Sequence, residues 1–136
     1  DLHLCDRRQR QMCIRDRLLA DKSYEVRECQ GLGYIPGEIV RFVPETGNER
    51  IPHVGWNDII KKQEQPILDG IEDGTNFYFV HSYHFNAKRP ENVVTVTPYC
   101  GEFVSVVIRD NIVGTQFHPE KSQKAGFKLI KNFLKM

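Results

Sequence analysis

The chain has 136 residues, is 40% hydrophobic and 27% charged, and carries a formal net charge of +1. That is one domain's worth of chain with enough apolar content for a core, and a charge balance that gives no push towards nucleic acid or an anionic membrane. No apolar run approaches a membrane span, and no signal-peptide pattern opens the chain. Four cysteines, Cys5, Cys13, Cys29 and Cys100, show neither CxxC nor framework spacing, which fits reduced thiols in a cytosol.

Residues 1–17 are rich in Arg and Asp, and their few apolar residues follow neither the helical nor the strand period. They read either as a basic arm or as foreign sequence. Residues 18–25 read as the end of a helix. Gly31 and Gly33 punctuate a loop, and Pro36-Gly37 marks a turn. Glu38 to Phe42 alternates as a strand. Thr46-Gly47-Asn48 is a turn, and short extended pieces run from Arg50 to Ile60. Pro66 to Ile71 suits a helical turn. Asn76 to Phe85 is aromatic and β-rich and predicts one strand, and Asn92 to Thr97 predicts another. The runs 103–108 and 112–117 flank Asp110-Asn111, a tight hairpin turn. The first of these runs is almost continuously apolar, as expected of a strand buried on both faces. The last element is a helix capped by Ser122, with Ala125, Leu129, Ile130, Phe133 and Leu134 mostly on one stripe. Lys128, Lys131 and Lys135 lie elsewhere or toward its C-terminus, where the dipole favours them. Strands with flanking helices predict an α/β fold with helices on a mixed sheet.

Chemistry concentrates in Gln116-Phe117-His118-Pro119-Glu120-Lys121-Ser122, where the last strand ends. Residues two apart in an extended chain point the same way, so Glu120 can lie against the His118 ring. A carboxylate there fixes the tautomer and leaves the other nitrogen free to take a proton. A lone His at a strand end is usually structural; the longer string is more specific. Five histidines are present, but His81 and His84, three apart in a strand-like run, are expected to face opposite ways, so no metal site is expected.

The string Gln-Phe-His-Pro-Glu resembles the C-terminal motif of class I glutamine amidotransferases. With Gly31 to Gly37, the block Ile51-Pro52-His53-Val54-Gly55-Trp56-Asn57 and the block from Phe77 to Phe85, the chain from about Leu18 onward is similar to the branch formed by the glutaminase subunits of imidazole glycerol phosphate synthases. The resemblance implies a three-layer, flavodoxin-like α/β fold with a mixed central sheet, here without its N-terminal strands. It sets a boundary between a non-family segment 1–17 and a family segment 18–136, because the pattern starts abruptly at Leu18.

The resemblance also implies roles. His118 is the general base and Glu120 orients it. Cys13 stands at the offset of the nucleophile, but Gln11 and Arg15 replace the glycines of the family's Gly-x-Cys-x-Gly elbow, and Arg17 replaces a substrate-contacting Gln. His81, Ser82 and Tyr83 match the glutamine-binding segment. Trp56, Tyr78 and Lys121 match positions that contact the synthase subunit, although a lone Trp is more often core and a lysine at a helix start more often solvated. The implied activity is glutamine hydrolysis in the cytoplasm, in histidine biosynthesis, with ammonia passed to a (β/α)8-barrel cyclase subunit in a heterodimer and no cofactor. Three readings compete: a relative feeding ammonia to sugar-modifying partners in surface-polysaccharide synthesis, a partner-binding module without catalysis, and nucleic-acid binding by the Arg-rich start. The lost N-terminal strands would leave an open sheet edge and poor solubility.

Overall fold

A computed structural model describes residues 33–136 together with the strand segments Lys22–Ser23 and Cys29–Gln30. Ten strands are described: β1 Lys22–Ser23, β2 Cys29–Gln30, β3 Gly37–Arg41, β4 His53–Asp58, β5 Ile60–Lys61, β6 Asn76–His81, β7 Tyr83–Ala87, β8 Val93–Pro98, β9 Glu102–Arg109 and β10 Ile112–Thr115. One α-helix among the described residues, α1, spans Gln123–Leu134, and short 3-10 turns occupy Pro66–Leu68, Pro90–Asn92 and Pro119–Lys121.

Eight strands form the main sheet in the order β2-β1-β3-β7-β9-β8-β5, with β10 also paired to β9. Among the described residues only β1 and β3 run parallel; the other pairings are antiparallel, so the sheet is mixed. β4 and β6 form a separate two-stranded ribbon. The helix end expected at 18–25 lies mostly outside the described residues, and within it Lys22–Ser23 is strand.

β9 carries the sheet. Its apolar run is buried on both faces, as its composition predicts: Phe103, Val106 and Ile108 join the larger core, while Val107 joins a smaller one with Ile35, Ile39 and Phe85. The Asp110-Asn111 turn returns the chain into β10 with Ile112 opposite Arg109, and Asp110 takes the left-handed backbone the tight turn needs. The larger core gathers Phe77 and Phe79 of the ribbon, Ile67 and Leu68 of the first 3-10 turn, Phe117 beyond β10, and Leu129 of α1. Each large apolar side chain so buried contributes roughly 1.5–3 kcal/mol.

The single strand expected over 76–85 is two strands broken at Ser82. β6 pairs with β4, while β7 crosses to the main sheet between β3 and β9. The break also overturns the expectation that His81 and His84 face opposite ways: both rings lie against Phe42, at 4.9 and 4.8 Å.

The buried face of α1 is Gly126, Leu129 and Asn132, while Phe127, Ile130, Phe133 and Leu134 are exposed. The expected apolar stripe therefore describes the packed face only at Leu129 and the partly buried Ala125. Asn132 is selected by hydrogen bonding instead: its amide donates to the carbonyls of Ile67 and Asp69, at 3.0 and 2.8 Å.

Candidate active site

The site begins where β10 ends. Gln116 donates its amide to the Ser105 carbonyl at 2.8 Å. Phe117 then stacks on Phe77, centroids 4.1 Å apart, and meets Phe79 edge-on at 5.7 Å. With Phe117 locked in the core, His118 follows at the core's rim, 8% exposed. Its backbone is extended, and Pro119 then starts a 3-10 turn suited to its fixed φ. The turn brings Glu120 back, and Glu120 Oε1 accepts from His118 Nδ1 at 2.9 Å. The pair forms through this turn rather than along an extended chain. The carboxylate is about half exposed and the imidazole mostly enclosed.

Ser122 and Gly126 hold the turn in place. The Tyr78 carbonyl accepts from the His118 amide at 3.0 Å. The Tyr78 amide donates to Ser122 Oγ at 3.0 Å, and that hydroxyl donates to the His118 carbonyl at 2.7 Å. Ser122 thus stitches the His118–Glu120 turn to β6, and it makes no side-chain capping bond to α1, correcting its expected role as a cap. Gly126 lets the helix cross the turn: a Cβ there would stand 1.8 Å from the Pro119 carbonyl oxygen. Neither role follows from the sequence alone. A glycine inside a helical pattern, where it costs about 1 kcal/mol against alanine, is the available signal for Gly126.

His81 ends β6 and is 8% exposed, while Ser82 and Tyr83 are half-buried. His81 Nδ1 lies 2.9 Å from the Tyr83 carbonyl and Nε2 lies 3.0 Å from His53 Nδ1. Burial pushes His53 down to about 4 and His81 down to about 3, and also lowers His84. For His81 the Tyr83 carbonyl opposes the shift, while His53, His84 and His118 add to it. All three rings are therefore neutral at physiological pH. His81 spends both nitrogens on the protein, so in this segment the backbone and the side chains of Ser82 and Tyr83 are what a ligand could meet.

Trp56, Tyr78 and Lys121 come together on the outer face of the ribbon. Trp56 pairs with Tyr78 in register, their rings 5.8 Å apart edge to face, and Lys121 Nζ lies 6.0 Å from the Tyr78 ring centroid. Trp56 is 49% exposed and the neighbouring Val54 56%. Aromatic rings with an adjacent cation suit an interface.

Cys13 lies outside the described residues. Burial, then Glu49 and Glu45, push the Cys100 thiol up, which argues against a nucleophilic thiolate there. Among the described residues no group of three His, Cys, Asp or Glu could hold a metal, and no helix is long and apolar enough to cross a membrane.

The glutamine amidotransferase class-I family matches residues 28–136. The chain is 48% identical over 118 residues to the imidazole glycerol phosphate synthase subunit HisH of Azospirillum brasilense, covering 87% of this chain and 62% of that protein. It is 45% identical over 123 residues to the HisH of Ruegeria pomeroyi, covering 90% and 58%. With the HisH of Brucella abortus it shares 46% over 127 residues, covering 91% and 59%. The chain thus spans about 60% of the length of these curated relatives. A solved structure described as a GMP synthase subunit from Thermoplasma acidophilum superposes with a TM-score of 0.56 at 17% identity, covering 73% of this chain and 47% of that one, a likeness of fold. With four-fifths of its length matched and the His118–Glu120 pair in place, the chain belongs to the class-I glutamine amidotransferases.

Proposed function

We propose that the chain is the C-terminal part of a glutaminase subunit that hydrolyses glutamine and delivers ammonia to the cyclase subunit of imidazole glycerol phosphate synthase, in histidine biosynthesis. The observation that carries this is the 2.9 Å His118 Nδ1–Glu120 Oε1 bond at the rim of an amidotransferase domain, in a chain whose relatives are named as subunits of that synthase. Those names favour the histidine pathway over the sugar-modifying branch.

The chemistry follows from the pair. Glu120 holds the proton on Nδ1, so Nε2 takes the proton of a cysteine thiol. The thiolate attacks the side-chain amide carbon of glutamine, and His118 returns the proton to the departing nitrogen, which leaves as ammonia. Water activated by the same nitrogen then cleaves the thioester to glutamate. Cys13 is the nucleophile in this reading. The Brucella abortus match takes in 91% of the chain, more than residues 18–136 can supply, so it reaches into the first seventeen residues, which supports Cys13 as family sequence. Ser82 and Tyr83 hold the α-amino acid end of glutamine, with His81 supporting them. The ribbon face of Trp56, Tyr78 and Lys121 docks a (β/α)8-barrel cyclase as a heterodimer, and the work is done in the cytoplasm without a cofactor.

A second reading has its own observation. Gln11 and Arg15 stand where the family elbow has glycines, and a partner-binding module without catalysis would follow from that loss. Glutamate release by the chain with the cyclase present, beside Cys13→Ala, His118→Ala and Trp56→Ala, separates the two. Release abolished in the first two variants, with partner binding weakened only in the third, supports the glutaminase. Partner binding without release supports the silent module, and neither binding nor release refutes both.

A further inference from the structure

We propose that His53 is a positioning residue for the glutamine site: a one-way hydrogen-bond chain from Asn57 through His53 to His81 sets the bend at Ser82. The proposal rests on the reading of His81 to Tyr83 as the substrate segment.

The direction of the chain follows from its end. His81 Nδ1 reaches the Tyr83 carbonyl at 2.9 Å, spanning the bend that separates β6 from β7. A carbonyl only accepts, so Nδ1 carries the proton. In a neutral ring Nε2 is then an acceptor, and the group that meets it is His53 Nδ1 at 3.0 Å. His53 is therefore also the Nδ1–H tautomer, and its Nε2 faces the donor Nδ2 of Asn57 at 3.4 Å. The same amide donates to the Pro98 carbonyl at 2.9 Å, which fixes it to the end of β8. Every link donates toward the Ser82 bend.

The ring that transmits this is held firmly. His53 is 5% exposed and lies between Tyr99, stacked at 3.9 Å, and Phe79, stacked at 5.2 Å. Tyr99 is tied in turn to the Arg50 carbonyl. Burial keeps both imidazoles neutral, which the one-way pattern requires, since a proton on His81 Nε2 would set two donors face to face. His84 and His118 are the other titratable rings near His81, and a proton on either opposes one on His81.

The placement of the chain gives it a use. β4 alternates, with His53 and Asn57 toward the core and Val54 and Trp56 outward. The strand that presents the candidate docking face thus holds, on its other side, the donor that shapes the substrate segment. In the sequence His53 sits inside the Pro-His-Val-Gly-Trp-Asn block with nothing to mark this role, because its partner lies on another strand, 28 positions away.

The test uses isotope-labelled whole chain, as wild type, His53→Phe and His53→Asn. Phe keeps the stacked ring and removes the donor; Asn keeps a donor near Nδ1. In wild type the imidazole nitrogen spectra are expected to show Nδ1–H on both His53 and His81; an Nε2–H tautomer on either overturns the proposal without any variant. His53→Phe is expected to move the Ser82 and Tyr83 amide resonances and to weaken glutamine binding about tenfold, as for one buried hydrogen bond, with His53→Asn returning both most of the way. Unchanged amides and unchanged glutamine affinity in His53→Phe overturn the proposal. A wild-type chain that takes up no glutamine removes the substrate reading instead, and the tautomers and amides then decide by themselves whether His53 sets the bend.

Discussion

Replacing Gly126 by alanine sets two effects against each other, and their sign decides whether the His118–Glu120 turn is held as described. Alanine is the better helix former, so in an uncrowded helix the change would stabilise by about 1 kcal/mol. Here the new Cβ would stand 1.8 Å from the Pro119 carbonyl oxygen, 2.7 Å from its carbon and 3.1 Å from its Cα. All three atoms are backbone, so no rotamer relieves the contact; α1 and the Pro119–Lys121 turn must separate by roughly an ångström or more to clear it. Over-packing of this kind costs roughly 1–3 kcal/mol, and a rigid backbone neighbour puts it at the upper end. The net expectation is a loss of about 2 kcal/mol, or about 10 °C in melting temperature for a domain of this size. Urea and thermal unfolding of Gly126→Ala against wild type measure it. The separation also pulls on Ser122 and Tyr78, so the His118 ring resonances are expected to shift. A variant as stable as wild type, with an unmoved His118 spectrum, would refute the reasoning.

Ser122→Ala leaves the Tyr78 amide without its acceptor and the His118 carbonyl without a donor; a loss of about 2 kcal/mol is expected, with faster hydrogen exchange at the Tyr78 amide as the local readout. Asn132→Ala strands the Ile67 and Asp69 carbonyls and is expected to cost about 1–3 kcal/mol in urea unfolding, whereas exposed Phe133→Ala should cost much less. Stability should also fall with acid. His53 and His81 have folded pKa values of about 4 and about 3, below the ordinary 6.5, so between those limits the unfolded chain binds protons the folded chain refuses. Their contribution is complete above pH 6.5 and is lost as pH drops toward 3. One such group alone removes about 3 kcal/mol by about pH 4.5, and urea midpoints that stay level from neutral pH down to that point would count against the buried neutral pair.

Much of the fold could be read locally. The β9–β10 hairpin, the two-faced burial of 103–108, the strand at 93–98 and the final helix follow from alternation, continuous apolar character and turn residues, all set by neighbours in the chain. The His118–Glu120 pair is legible because its members are neighbours, although a 3-10 turn rather than the expected extended chain brings them together. What escaped depends on distant partners. Alternation from Asn76 to Phe85 cannot show that β6 joins β4 while β7 joins β3, because either half pairs equally well with one strand or two. Ser122 looked like a cap because its use is 44 positions away, at Tyr78. Asn132 and Gly126 interrupt an apolar stripe, yet they form the packed face, one through hydrogen bonds to another turn and the other through the space it leaves. Trp56, Tyr78 and Lys121 were expected on one surface from resemblance, and their clustering follows from β4–β6 register together with the turn after β10.

The main sheet is unevenly sewn. β9 meets β8 along one side; its other side is shared between β10, opposite residues 106–109, and β7, in register only at Phe85 opposite Val104. Among the described residues, β3 and beyond it β1 and β2 reach β9 through β7, helped by the small cluster of Ile35, Ile39, Phe85 and Val107, by Phe42 packed on Phe103, and by Arg109 donating to the Tyr34 carbonyl at 2.9 Å. Opening along this seam would detach β1, β2, β3 and β7 while leaving β8, β9, β10, α1 and the His118 turn intact. The molecule is therefore divided into a part that can unfold early and a part that can persist. The persistent part is joined by short connections and is expected to form the sooner, so hydrogen exchange is expected to show the His118–Glu120 turn outlasting the strands on the far side of the seam.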